Sequence, residues 1–319
     1  MVSIIIPILE EDAGAALCLQ ASLEGAGPTD EVILVDGGLT GMASRLVRQR
    51  EEWAEKVTTV RHSGRRRLWN LLRTGVGLAS GKYVIITAVG EWLEPEAAEV
   101  LERIAENLEV DVVQARKIKR IRRIAVKEPF VSSLPIDEAI RGQAFLELTE
   151  ISGEDRVITP SFTDKLWRRD LLSETLRLRF EGEWGTGEIL NFHYFRHARS
   201  MAFTEHPICN FNWTLPHAPC SYRRLDDLRK VYELKMLAVP GQQEGFQAEL
   251  QTYLSDYVDN LIVRLGWTRE AVLHYLSPVL ADRFWQQSGI DTDLSGIIDE
   301  IFRTHKRNSF KNRLRELMG

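Results

Sequence analysis

Glu31-Val32-Ile33-Leu34-Val35-Asp36-Gly37-Gly38 is an apolar run that stops on an acid and two glycines. A strand with one wet face alternates polar and apolar residues, whereas an unbroken apolar run is expected of a strand covered on both faces. The same signal recurs on either side. Val2-Ser3-Ile4-Ile5-Ile6-Pro7 precedes it, residues 57–60 and Tyr83-Val84-Ile85-Ile86-Thr87 follow, and residues 110–113 give a fifth strand. Helical patterns fill the gaps: one through Ala16, Leu19 and Leu23, then residues 42–53, 68–79 and 94–108, the last with Pro95 suited to a first turn. Strands alternating with helices and joined by right-handed crossovers predict an α/β fold with a doubly wound, mostly parallel sheet. Ligands of such sheets bind beyond the carboxyl ends of the strands, which directs attention to Asp36, residues 61–67 and residues 87–91.

Composition bounds the rest. The chain has 319 residues, 44% of them hydrophobic, which is enough for a large core and for more than one domain. Neither a disordered chain nor a disulfide scaffold has this makeup. Three widely spaced cysteines fit a reducing compartment. The formal charge of −5, from 41 Lys and Arg against 46 Asp and Glu, gives no global drive toward nucleic acid. The first residues lack the basic segment of a secretion signal, and no stretch approaches the roughly 18 apolar residues of a membrane span. A cytoplasmic location is expected. Residues 221–319 read as wholly helical: Leu225, Leu228, Val231, Tyr232 and Leu234 share one face, and Phe246, Leu250, Tyr253, Leu254, Tyr257 and Leu261 continue at helical spacing. The expected division is residues 1–220, with a nucleotide-binding half (1–115) and an acceptor half (116–220), followed by a helical unit, 221–319.

Several segments, in order, carry a resemblance. Val2-Ser3-Ile4-Ile5-Ile6-Pro7, then Val32-Ile33-Leu34-Val35-Asp36-Gly37-Gly38-Leu39-Thr40-Gly41, then Thr74-Gly75 with Ala79-Ser80-Gly81-Lys82-Tyr83, then Trp92-Leu93-Glu94-Pro95 resemble motifs of the family 2 glycosyltransferases. Asp164-Lys165-Leu166-Trp167-Arg168-Arg169-Asp170-Leu171-Leu172 and residues 185–195 extend the likeness over roughly residues 1–215. The resemblance implies the GT-A fold and a nucleotide-sugar substrate such as a UDP- or GDP-sugar. It also implies work on surface glycans or polysaccharides, at the inner face of a membrane or with a glycan-assembly protein partner.

The family's chemistry needs carboxylates where this chain lacks them. A departing diphosphate is usually stabilised by a divalent cation on carboxylate oxygens. The family's D-x-D(-D) falls on Ala88-Val89-Gly90-Glu91, leaving only Glu91. The base that deprotonates the acceptor belongs to an E-D pair, which falls on Thr186-Gly187 with Glu188 as neighbour. The second acid after the second strand is Gly37, and the Arg-Asn before Thr74-Gly75 reads Leu72-Arg73. This pattern implies no resident cofactor and argues against a bound metal. It leaves Pro7, Asp36, Arg65, Arg67, Arg73 and Glu91 as nucleotide-site residues, Trp92, Trp184 and Lys165 as acceptor-site residues, and Glu188 as candidate base.

Three functional readings follow. In the first, the protein keeps the scaffold, has impaired or lost catalysis, and acts as a partner or scaffold. In the second, it transfers sugar without metal, with Arg61, Arg65, Arg66, Arg67 and Arg73 as counter-charge to the diphosphate. In the third, its basic segments, Arg116-Lys117-Ile118-Lys119-Arg120-Ile121-Arg122-Arg123 and the tail 303–317, meet a lipid surface or nucleic acid, nucleic acid being disfavoured by net charge. The bland alternative for residues 116–127 is a solvated strand edge guarded by charge. His206, Cys209, His217 and Cys220 form two H-x-x-C pairs spaced for zinc, against a packing role for Cys209 and Phe211 in a strand.

Overall fold

The computed structural model describes residues 1–9, 14–121, 124–127, 135–150, 157–182, 184–212, 222–239, 243–259, 261–262, 266–280, 284–285, 296 and 298–304. The chain divides into two compact units, Met1–Ile151 with Arg156–His217, and Ser152–Asp155 with Ala218–Gly319.

In chain order the first unit runs β1 (Val2–Ile8), α1 (Gly14–Gly25), β2 (Glu31–Asp36), α2 (Met42–Arg48), α3 (Glu51–Ala54), β3 (Val57–Arg61), α4 (Leu68–Leu78), β4 (Tyr83–Ile86), β5 (Glu91–Leu93) and α5 (Ala97–Leu108). It continues with β6 (Val112–Ile121), β7 (Ile124–Lys127), β8 (Ile140–Arg141), α6 (Gly142–Glu150), β9 (Lys165–Arg168), α7 (Arg169–Thr175), α8 (Thr186–His197) and β10 (Ser200–Asn212). The described strands form one sheet ordered β3-β2-β1-β4-β9-β6-β10-β5, with β7 on β6 and β8 on β10. Strands β3, β2, β1 and β4 pair in parallel, as do β6 and β10. Because β9 is antiparallel to both β4 and β6, those two groups point the same way. The result is the expected α/β fold: a mostly parallel sheet with β9 reversed at its centre and the short β5, β7 and β8 reversed beside β10 and β6.

Strand alternation splits the core in two. Ile4, Ile6 and Ile8 of β1 pack with Cys18 and Leu19 of α1, Val47 of α2 and Leu101 of α5. On the opposite face Ile5 and Val35 meet α4 at Gly75, where a Cβ would lie 2.5 Å from Ile5 Cγ2 and 3.1 Å from Val35 Cγ2. The Thr74-Gly75 motif therefore has a steric cause: the helix axis comes too close to the sheet for a side chain. Glu31 explains another motif. Its Oε1 accepts from Ser3 Oγ (2.5 Å) and from the amides of Ser80 (2.6 Å) and Gly81 (3.2 Å), pinning the turn into β4 against β1 and β2.

Three local expectations need correction. The helix read over 42–53 breaks at Arg50 (φ −120°, ψ 104°), and its guanidinium lies 4.1 Å from the centre of the Trp53 ring. The helix expected from residue 94 starts at Ala97, because residues 91–93 are drawn onto β10 as β5 and the Glu94 amide donates to the Ile208 carbonyl (2.8 Å). The fifth strand does not stop at 113 but runs to Ile121, so part of the basic run lies in the sheet. Arg122 and Arg123 lie outside the described residues.

The second unit contains α9 (Tyr222–Ala238), α10 (Gln243–Asp259) and α11 (Arg269–Leu280). Leu225, Val231, Tyr232, Leu250, Leu254, Tyr257 and Leu261 are buried, while Leu234 and Tyr253 are half-buried. Lys235 and Glu249, both buried, pair at 3.0 Å. No described helix is long and apolar enough to cross a membrane. The tail beyond residue 304 lies outside the described residues.

Replacing Gly75 by alanine is expected to destabilise the chain by about 1–3 kcal/mol from overpacking. The gain of at most ~1 kcal/mol in helix propensity does not offset that. A lower urea midpoint at unchanged slope is the check.

Candidate functional site

The carboxyl ends of the parallel strands align in one row, Ile8 opposite Asp36 and Asp36 opposite Arg61. Pro7 is buried in β1, one residue before that edge. Asp36 is fully buried, and its carboxylate accepts from the Gly38 amide (2.9 Å), the Ser44 amide (3.0 Å) and the Ser44 hydroxyl. Since Ser44 lies in the first turn of α2, the acid ties the loop after β2 to a helix N-terminus, where a negative charge is favourable.

The arginines gather at this edge, and several have partners of their own. Arg61 donates to the carbonyls of Gly38 (3.1 Å) and Leu39 (2.9 Å). Arg66 donates to the carbonyls of Gly37 and Leu9, the latter at 2.6 Å. Arg65 faces Glu181 at 3.1 Å, both side chains well exposed. Arg67 precedes α4 as its N-cap residue, and Arg73 is exposed on that helix.

Glu91 opens β5, next to Trp92, which is half-buried opposite Asn210. The Glu91 carboxylate meets Lys117 of β6: Nζ lies 2.9 Å from Oε1, 3.0 Å from Ser161 Oγ and 2.9 Å from Thr163 Oγ1. The Cys209 thiol donates to Glu91 Oε2 at 3.5 Å. Lys117 is only 9% exposed. Burial is the largest single influence and lowers its pKa, but the Glu91 charge and hydrogen bond, together with neighbouring charges such as Asp164, hold the ammonium above the ordinary lysine value. In the opposite sense, burial first and the Glu91 charge second push the Cys209 thiol well up, so it stays protonated. The basic run is thus not a uniformly solvated edge: Lys117 points inward, and Arg116 pairs with Glu205 at 2.8 Å.

The segment before β9 links this pair to a second one. Lys165 is fully buried and donates to Thr159 O (3.0 Å), Thr159 Oγ1 (2.8 Å), Ser161 O (2.7 Å) and Asp164 Oδ1 (2.8 Å). Asn191 of α8 donates to the carbonyls of Pro160 (3.1 Å), Ser161 (3.2 Å) and Gly187 (2.7 Å). This holds the segment against the first turn of α8. A Cβ on Gly187 would fall far inside contact distance of the Pro160 carbonyl oxygen and 3.2 Å from Phe162 Cδ1. Glu188, one position on, is buried, and Trp184 is half-buried just before the helix.

A hard divalent cation wants several oxygen ligands, chiefly carboxylates. Residues 88–91 supply one carboxylate, already bonded to an ammonium, so the residues present do not fit that ion. Among the described residues no three His, Cys, Asp or Glu side chains are grouped to hold a metal. Of the four zinc candidates, Cys209 is buried and His206 exposed on β10, while His217 and Cys220 lie outside the described residues. Lys117 stands in the sequence only as part of a basic run and Asn191 only within a family segment, and Pro160, Ser161 and Thr163 carry no sequence signal. Only the strand period could have separated inward Lys117 from its neighbours, and the neighbouring bases obscure it.

A family profile described as "Glycosyl transferase family 2" matches residues 3–162, half of the chain. No curated protein matches the sequence. Among solved structures, residues 1–349 of TarS from S. aureus superpose with a TM-score of 0.63 at 13% identity, covering 98% of this chain and 91% of that one. The same TarS segment in complex with UDP-GlcNAc gives 0.59 at 12%, covering 98% and 92%. Against a longer TarS chain the TM-score is 0.54 at 13% identity, covering 84% of this chain and 44% of that one. At these identities the likeness is one of fold.

Asp36→Ala leaves buried amides of Gly38 and Ser44 without acceptors. It is expected to cost about 1–3 kcal/mol or more of stability, read as a lower unfolding midpoint without any nucleotide present.

Proposed function

The chain belongs to glycosyl transferase family 2, and on that premise we propose that it binds a nucleotide sugar but transfers it poorly or not at all. Its role in surface-glycan or polysaccharide assembly is then that of a partner or scaffold. The observation that carries this reading is the closure at Gly187. An inverting transferase needs a general base within hydrogen-bond reach of the acceptor hydroxyl. Here the family's base position is a glycine with the Pro160 carbonyl packed against it, so no side chain fits there while the segment stays in place. Glu91, the last carboxylate of the metal motif, is bonded to Lys117. Nucleotide binding draws support from the shared fold, since two TarS structures were solved with UDP-GlcNAc and with UDP.

An active transferase with arginines in place of metal draws less support. Arg61 and Arg66 are bonded to loop carbonyls, and Arg65 to Glu181. Glu188 remains the side chain to test as a base.

Calorimetry against UDP, UDP-GlcNAc and a GDP-sugar, paired with a transfer assay, tests the reading. Saturable binding of one donor with product formation at the uncatalysed rate is expected. Robust turnover that is lost in Glu188→Gln would overturn it in favour of the active alternative. Gly187→Asp, which puts back the family's carboxylate, is expected to lose roughly 1–3 kcal/mol of stability and to gain no transfer.

A further inference from the structure

Lys117 is unusual in where its protons go. An ammonium has three N–H donors and no acceptor, and all three here meet oxygen: a carboxylate and two hydroxyls, at 2.9, 3.0 and 2.9 Å. The oxygens come from two places: β5 (Glu91) and the segment before β9 (Ser161 and Thr163). They converge on one point that the long lysine stem from β6 reaches. The Phe211 ring centre lies 5.1 Å from the same nitrogen and walls the cage on another side. A compact cation surrounded by hard oxygens is the coordination chemistry of a metal ion, carried out by a side chain.

We propose that Lys117 is the built-in counter-cation of this site. Its ammonium fills the oxygen cage around Glu91, neutralises that carboxylate and closes the cage to divalent metal. The inference rests on the nucleotide-binding reading only in its consequence, which is that the diphosphate of a bound nucleotide meets a neutral pair here, with no metal bridge. A bare Glu91 would repel a diphosphate and call for a divalent ion between them; the paired Glu91 does neither. Lys117 has no donor left over for a ligand, so it is a positioning residue. It acts through Glu91 and through the segment that carries Ser161 and Thr163.

Two measurements on the full chain decide the matter. In the first, UDP binding to the wild type is followed by calorimetry in EDTA and in manganese. Equal affinities are expected, and a gain of about tenfold or more with manganese overturns the inference. If UDP binds in neither buffer, the nucleotide reading fails by itself, and the inference is decided by the second measurement, which uses no nucleotide. There the unfolding midpoint of Lys117→Ala is recorded with added manganese, with ethylammonium, and with tetramethylammonium as a cation too large and without N–H donors. The midpoint is expected to rise with manganese or ethylammonium and to stay put with tetramethylammonium. No such rise is expected in the wild type or in Lys117→Ala/Glu91→Gln, which lacks the carboxylate. A variant indifferent to every cation, or a wild type that responds to manganese as strongly as the variant, overturns the inference. Should Lys117→Ala not fold, Lys117→Gln, which keeps most of the stem and leaves Glu91 uncompensated, is read against manganese in the same way.

Discussion

A buried ammonium costs several kcal/mol unless its protons all find oxygen, and residues 159–165 meet that demand twice. Ser161 gives its hydroxyl to Lys117 and its carbonyl to Lys165. Thr159 and Asp164 complete the second ammonium, Thr163 and Glu91 the first. Removing one partner of such a pair leaves an uncompensated charge, which is far costlier than the pair's own net contribution. The conformation of the segment is therefore set from both of its flanks: by β6 on one side, by its own strand β9 on the other.

This coupling makes the departures from the family pattern one change rather than several. Gly187 lets the Pro160 carbonyl approach α8, and Asn191 then fastens the carbonyls of Pro160, Ser161 and Gly187 together. With Ser161 fixed there, its hydroxyl is in reach of Lys117, and Lys117 in turn satisfies Glu91. An acid at 187 would push the segment away from the helix and pull an oxygen from the Lys117 cage. The glycine at 187 and the pairing of Glu91 with Lys117 are thus linked through the backbone of residues 160–163.

The sheet was legible because its strands are dictated by locally visible chemistry. Val32 to Val35 cannot be anything but doubly covered, and Gly75 and Gly81 mark places where backbone crowds backbone or β-branched side chains. The errors came where tertiary pairing overrides local preference. Residues 91–93 become a strand because β10 offers an edge, although Pro95 favours an early helix start. Residues 116–121 join the sheet although their charge reads as loop. The site was legible only as a set of absences at 37, 88, 90 and 187. Beside Glu91 stands a lysine from a basic run, and against Gly187 a carbonyl oxygen. The first looks like its neighbours in sequence, and the second has no side-chain identity at all.

Charged side chains along the strand ends are held in close contacts. The acids absent at 88, 90 and 187 are not replaced by a surplus of free base. Arg61 and Arg66 point at carbonyls of residues 37–39 and of Leu9, the groups left over where parallel strands end. Lys117 is matched by Glu91, and Lys165 by Asp164. The two lysines therefore cancel with their acids, whereas carbonyl dipoles do not neutralise the Arg61 and Arg66 guanidiniums, whose positive field falls off within a Debye length. An anion at this edge meets guanidinium charge as well as hydrogen bonding at contact.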